Sequence, residues 1–275
     1  MVTTSEPQLS VDVAGNPYVE VFFDPSGLEP DAAYIRVVRY SERREWPVRG
    51  GVNIAPGVAA LDFEAPFNVE ATYRAQMFTA TGASIGWTEA STTVLEYAGT
   101  IVHQPLDPTS WVAVDVMPGS VSPLTRPEEG SLVQTEGRDV GVWIGSGRRG
   151  LRGVGVSLQT RSIAEADAFR DLQGSYAVRQ IGTVCIRTSS TVRWPRTFFA
   201  RGDFAENDRT IRFGGTKVTF DARVDEVEPP FPGLAVPLLT YGDLDAAYAT
   251  YAERDAAYPT YTDMDRDYSL AGLAD

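Results

Sequence analysis

Three residue types are almost missing from this sequence. Among 275 residues there is one cysteine, one histidine and one lysine. The lone Cys185 excludes an internal disulfide and any cysteine-rich zinc site. It falls in the apolar run Thr183-Val184-Cys185-Ile186, which reads as a buried strand with an inert thiol. Any Ser–His–Asp or Cys–His catalytic arrangement would have to pass through His103. That residue stands beside Pro105 and Pro108, in a stretch that reads as a linker, a poor place to hold a base rigid. Lysine gives way to 23 arginines, a codon signature of a GC-rich genome. No apolar stretch approaches the roughly 18 residues a membrane span needs. The opening MVTTSEPQLS has neither a basic nor an apolar leader segment, so the expectation is a chain folded in a cytoplasm without a Sec signal.

Positive charge is also short, and unevenly so. The net charge is −13. Residues 1–99 carry 6 basic and 13 acidic side chains, residues 100–239 carry 16 of each, and residues 240–275 carry 2 and 8. An acidic chain with a neutral middle is ill suited to phosphate backbones and to anionic lipid, so neither nucleic acid nor membrane insertion is expected. Apolar residues make up 43% of the chain, enough for real cores.

What the sequence does have is a repeat. TYGDLDAAYA (240–249), TYAERDAAYP (250–259) and TYTDMDRDYS (260–269) share Thr-Tyr at the start, an acid at the fourth place, Asp at the sixth and Tyr at the ninth. Thr240, Thr250 and Thr260 can each cap a helix, with Asp243, Glu253 and Asp263 completing a capping box and facing the positive end of the helix dipole. The two tyrosines of a unit stand seven residues apart, about two helical turns, and so share one face. The residue between them on that face is Leu244, Arg254 or Met264. Helices this short do not hold alone in water, and Pro259 breaks the run. Three short segments that dock on something else are therefore expected. The docking residues are Tyr241, Leu244, Tyr248, Tyr251, Tyr258, Tyr261, Met264 and Tyr268. Asp263, Asp265 and Asp267 imitate the start of a calcium loop, but Tyr268 and Ala274 occupy the places of its Gly and bidentate Glu. No metal site is expected.

The rest reads as mainly β: two sandwich domains, the second with one flanking helix, ahead of the helical-repeat tail. The first domain, 1–99, shows the short apolar run Val19 to Phe23 closed by Asp24-Pro25-Ser26-Gly27, and alternation over Tyr34 to Tyr40 and Ala71 to Phe78. A linker is expected over 100–110. The second domain, 111–228, offers strands at Trp111 to Val116, Val140 to Ile144, Val154 to Thr160, Val184 to Arg187 and Thr210 to Val224. Its helix, 163–173, starts at the capping box Ser162-Ile-Ala-Glu165 and stops at Gly174. A Pro-rich linker, 229–239, leads to the docking tail, 240–275.

Two motifs invite over-reading. Gly145-Ser-Gly-Arg-Arg-Gly150 matches the dinucleotide fingerprint, but a strand, not a helix, is expected after it. The reading is a hairpin turn that exposes Arg148, Arg149 and Arg152 for contact with an acidic neighbour such as the tail of an adjacent subunit. No cofactor is expected. Arg201-Gly-Asp203 reads as a turn. No local motif marks a catalytic carboxylate pair, so no catalytic residue is named and the chain is read as a non-enzyme.

The run Tyr73 to Gly82, with Trp87 and Val94 beyond it, resembles a fibronectin type III domain, although Asp62 to Asn68 stands where that family has its Leu-x-Pro-Gly corner. Val140 to Ile144, Val154 to Arg161 and the helix at Ile163 to Gln173 resemble the sandwich of distal-tail-type proteins. With the Thr-Tyr repeats, the chain as a whole resembles minor tail proteins of siphophages infecting actinobacteria. The resemblance implies a structural virion protein in the tail tip or baseplate, bound to other tail proteins and to copies of itself in a symmetric ring, with host-surface glycan as a further contact. The alternative is a carbohydrate-binding or adhesion module presenting Trp46, Trp87 or Trp111 on one sandwich face.

Overall fold

A computed structural model describes residues 5–120, 123–174, 181–208, 214–230, 241–258, 260, 261 and 264. The chain is mainly β, as its alternation predicts. The first half is a sandwich of two antiparallel sheets. Strands β1 (Gln8–Asp12), β2 (Tyr18–Phe22) and β5 (Ala60–Asp62) form one sheet. The other runs β4 (Arg44–Ile54), β3 (Tyr34–Ser41), β6 (Glu70–Phe78) and β7 (Ser84–Trp87), with β8 (Ser91–Val94) also on β6. On β6 the buried residues are Ala71, Tyr73, Ala75 and Met77, every second one, as a half-buried strand requires. They meet Val19, Val21, Ile35 and Val37 in one apolar core. Between β2 and β3, Asp24 caps a short 3-10 turn at Pro25–Gly27 by accepting from the Ser26 N–H.

The second half is a closed barrel, which corrects the expected second sandwich. Strands β9 (Thr100–Gln104), β10 (Asp107–Val116), β13 (Val154–Gln159), β14 (Thr183–Thr188), β15 (Thr197–Arg201) and β17 (Thr219–Val227) pair in the order β13-β10-β9-β14-β15-β17. Val154 to Gln159 then pair with Val224 to Thr219, closing the ring. Closure removes the open edges that a sandwich leaves. A short strand, β16 (Ala205–Asn207), is added outside on β17. Between β10 and β13 the chain leaves the barrel as a two-stranded arm, β11 (Glu128–Val133) with β12 (Val142–Arg148).

Helix α1 (Ile163–Leu172) sits where the sequence places it. Ser162 accepts from the Glu165 N–H, but the Glu165 carboxylate reaches back to the Arg161 N–H, one residue before the cap. Gly174 stops the helix at φ +90°. The helix sends Ala166, Phe169 and Leu172 into the barrel core, where the Phe169 ring lies 4.3 Å from that of Phe220.

The expected linker at 100–110 is a correction too. Thr100 to Gln104 are all buried, in a central barrel strand, and Asp107 opens the next one. Pro105 stands in the tight turn between them, where it removes no ladder bond. Strand β9 is shared between the halves, with Ile101 in the sandwich core and Val102 in the barrel core. Two further helices, α2 (Tyr241–Ala247) and α3 (Tyr251–Ala257), belong to the repeats.

Candidate functional site

The first two repeats form helices, α2 and α3. In the second unit the box is complete: Thr250 accepts from the Glu253 N–H and Glu253 accepts from the Thr250 N–H. Thr240 and Asp263, which would cap the neighbouring units, lie outside the described residues, as does Tyr268. The fifth residue of each unit turns inward, so that Leu244, Arg254 and Met264 are all buried. Each helix ends one residue before its second tyrosine. Tyr258 is the C-cap of α3, in extended conformation, rather than a member of a helical stripe. The half-buried Tyr248 and Tyr258 meet edge to face at 5.8 Å, and the Tyr248 hydroxyl donates to that of Tyr258 at 3.0 Å. The first two units thus contact each other directly.

The opening tyrosines do something else. Tyr241, Tyr251 and Tyr261 are exposed at 69%, 69% and 73%. They stand ten residues apart in sequence, each at the start of its unit. At Tyr251 the ring lies against the guanidinium of Arg254, 4.4 Å from its centroid. Each ring presents a π face that accepts a cation or an apolar edge.

Arg148, Arg149 and Arg152 are exposed as expected, but the glycine run before them is not a turn. Gly145 to Arg148 belong to β12. A Cβ at Gly130 would stand 2.7 Å from Trp143 Cζ2, and one at Gly145 would stand 2.7 Å from its Nε1. The glycines therefore leave room for the Trp143 ring to lie flat on the arm, where its Nε1 donates to Glu128 at 2.9 Å. Arg152 and Arg149 pair with Glu129 of their own chain, at 3.1 and 3.6 Å.

The groups with the most perturbed titration lie between sandwich and barrel. Arg39 is buried, and its Nη1 donates to Asp62 at 2.6 Å; the Tyr73 hydroxyl donates to the same oxygen at 2.9 Å. Arg49 pairs with Glu64 and also donates to the carbonyls of Pro105 and Pro230. Burial raises the Glu64 carboxyl above its ordinary range, and the Arg49 charge opposes that only in part. Arg187 is fully buried, donates to Asn16 Oδ1 and to the Ala65 carbonyl, and lies 4.6 Å from the centre of the Phe67 ring. Burial lowers its pKa to about 10. His103 faces Cys185 across the β9–β14 ladder. Neither of its ring nitrogens has a hydrogen-bond partner among the described residues, and burial, then the charges of Arg187 and Arg49, hold its pKa well below the usual 6.5. Burial likewise pushes the Cys185 thiol up, as the inert-thiol reading expects. Of these groups, Arg49 and Arg187 tie one half of the molecule to the other, while Arg39, Asp62 and Tyr73 link strands within the sandwich.

Beside this layer a cleft of about 760 Å³ opens between the halves. Trp46, Trp194, Phe198 and Phe199 line it, with Arg44 and Arg193. None of these was singled out as a cleft residue from the sequence, because they come from segments about 150 residues apart. The tryptophans named for sugar contact are partly covered. Arg44 lies over Trp46 at 4.1 Å, Arg74 over Trp87 at 4.2 Å, and Trp111 packs against the sandwich core. No family model matches the chain, and no curated protein or solved structure is significantly similar to it.

Proposed function

We propose that this chain is a structural component of the tail of a long-tailed phage, part of the tail tip or baseplate, acting in tail assembly. The observation that carries the reading is the repeat segment: two short helical units that contact each other, with Tyr241, Tyr251 and Tyr261 at the start of the three units all left exposed. Exposed aromatics that recur every ten residues on an acidic segment suit docking, and an aromatic anchor is what interface energetics favour. Its partners in this reading are other tail proteins and copies of the chain itself, meeting the repeats in a helix-in-groove mode. The strand grouping β1-β2-β5 against β4-β3-β6-β7 supports the fibronectin-like reading of the first half. That half is proposed as the face toward host-surface glycan. No catalytic, metal or cofactor role is proposed.

Deletion of Thr240 to Asp275 tests the reading. The shortened chain is expected to keep its thermal unfolding transition yet to be depleted from purified particles, counted by quantitative mass spectrometry. Normal copy number in the particles overturns the docking role. The carbohydrate-binding alternative has one observation in its favour, Trp46 in the cleft. Its platform is already occupied by Arg44.

A further inference from the structure

The seam between sandwich and barrel encloses a titratable ring. His103 is fully buried on β9, the strand the two halves share. Ile101, two residues away and on the same face, belongs to the sandwich core, so His103 turns toward the sandwich as well. Neither ring nitrogen has a hydrogen-bond partner among the described residues. A neutral ring leaves one donor and one acceptor unmet there. A protonated ring would leave two unmet donors and a charge, which a dry interior disfavours far more.

Its surroundings make that charge worse placed. Opposite His103, β14 sets Cys185, a thiol that burial keeps neutral, and β10 sets Trp111. Two residues beyond Cys185, on the same face, stands Arg187, whose acceptors Asn16 Oδ1 and the Ala65 carbonyl are both neutral. From β4 comes Arg49, which donates to the carbonyl of Pro105, two residues from His103. The acids of this layer are Asp62 and Glu64. Each is already paired, Asp62 with Arg39 of β3 and Glu64 with Arg49. Three arginines thus face two carboxylates, and a proton on His103 adds a fourth cation. The bonds across the seam belong to the same layer. Arg187 reaches Asn16 and Ala65, Arg49 reaches Pro105 and Pro230, and Asn16 Nδ2 donates to the Pro108 carbonyl at 2.7 Å. Most of each core lies on one side of the seam, and the barrel ladder closes on itself. The seam is therefore where water reaches His103 at the least loss of packing.

We infer that this seam is an acid-sensitive joint: protonation of His103 parts sandwich from barrel while each half stays folded. The joint needs no partner and stands apart from the docking of the repeats.

Small-angle scattering and far-UV circular dichroism of the full chain, from about pH 8 to about pH 4 and extrapolated to zero concentration, test the joint. Wild type is expected to gain radius of gyration as the pH falls below about 6.5, before its circular dichroism changes. His103→Leu is expected to stay compact until it unfolds. If that variant does not fold, His103→Gln, also uncharged at every pH, replaces it. Glu64→Gln keeps the histidine and is expected still to expand with acid. Four results overturn the inference: a wild type compact throughout, radius and circular dichroism changing together, expansion of the His103 variant at the wild-type pH, or loss of the acid response in Glu64→Gln.

Discussion

Replacing Asp62 by Asn removes the negative charge facing Arg39 while keeping an acceptor for Tyr73. The Arg39 guanidinium is then stranded behind the cleft, where it and Asp62 are 6% and 3% exposed. Stranding one partner of a buried ion pair costs about 3–5 kcal/mol. The Ser41 hydroxyl accepts from Arg39 Nε at 3.2 Å and offsets only part of that. Replacing Arg39 by Met leaves Asp62 with the Tyr73 hydroxyl and the Glu64 N–H, at 2.9 Å each, so its cost falls nearer the lower end of the same range, about 3 kcal/mol. The double variant should lose less than the sum, with a coupling energy of about 2–3 kcal/mol. Urea unfolding of the four proteins, followed by tryptophan fluorescence, measures the cycle. The exposed pair Arg74–Glu45, with 43% and 46% of its side chains accessible, is the internal control, worth about 0.2–1 kcal/mol. An Asp62→Asn cost no larger than that of Glu45→Gln would refute the claim that this buried pair helps hold the sandwich together.

Other outcomes follow from the same physics. His103 refuses a proton when folded, whereas the unfolded chain accepts one near pH 6.5. Its contribution is therefore fully present above pH 6.5 and is lost as pH falls below it, toward the depressed folded value. His103→Leu should flatten that part of the wild-type profile, and parallel profiles in calorimetry would contradict the assignment. Thr250→Ala should cost the second repeat about 1 kcal/mol through loss of its cap, seen as faster amide exchange in α3 with the barrel unaffected. Gly145→Ala should displace Trp143 from the arm, quenching or shifting its fluorescence without moving the global transition. Leu244→Ala empties the buried place of the first unit; a cost of about 2–5 kcal/mol exceeds what two seven-residue helices can hold, so helix α2 should melt locally.

Where one face of a strand meets water, the sequence is readable. The alternation over Tyr34 to Tyr40 and Ala71 to Phe78 marks two sandwich strands, and Ser162 with Gly174 brackets helix α1. Where both faces are buried, the signal disappears. Thr100 to Gln104 is buried throughout, so it shows no alternation, and the nearby prolines pull the reading toward a linker. Closure of the barrel rests on pairing between β13 and β17, some 60 residues apart, which no local pattern announces. At 145–150 a glycine run means a turn by default; here the run starts inside a strand, and Gly145 leaves space for the Trp143 ring. In the repeats the caps are plain, but α2 and α3 each stop before their second tyrosine, so that Tyr248 and Tyr258 meet each other while the opening tyrosines stay exposed. The cleft draws on remote segments, and only the fold brings them together.

Immunogold electron microscopy with antibody against this chain, on phage particles from its source, tests the central claim most directly. The account predicts gold clustered at the tail tip. Particles free of gold, with the protein on cells or in the medium instead, would contradict it.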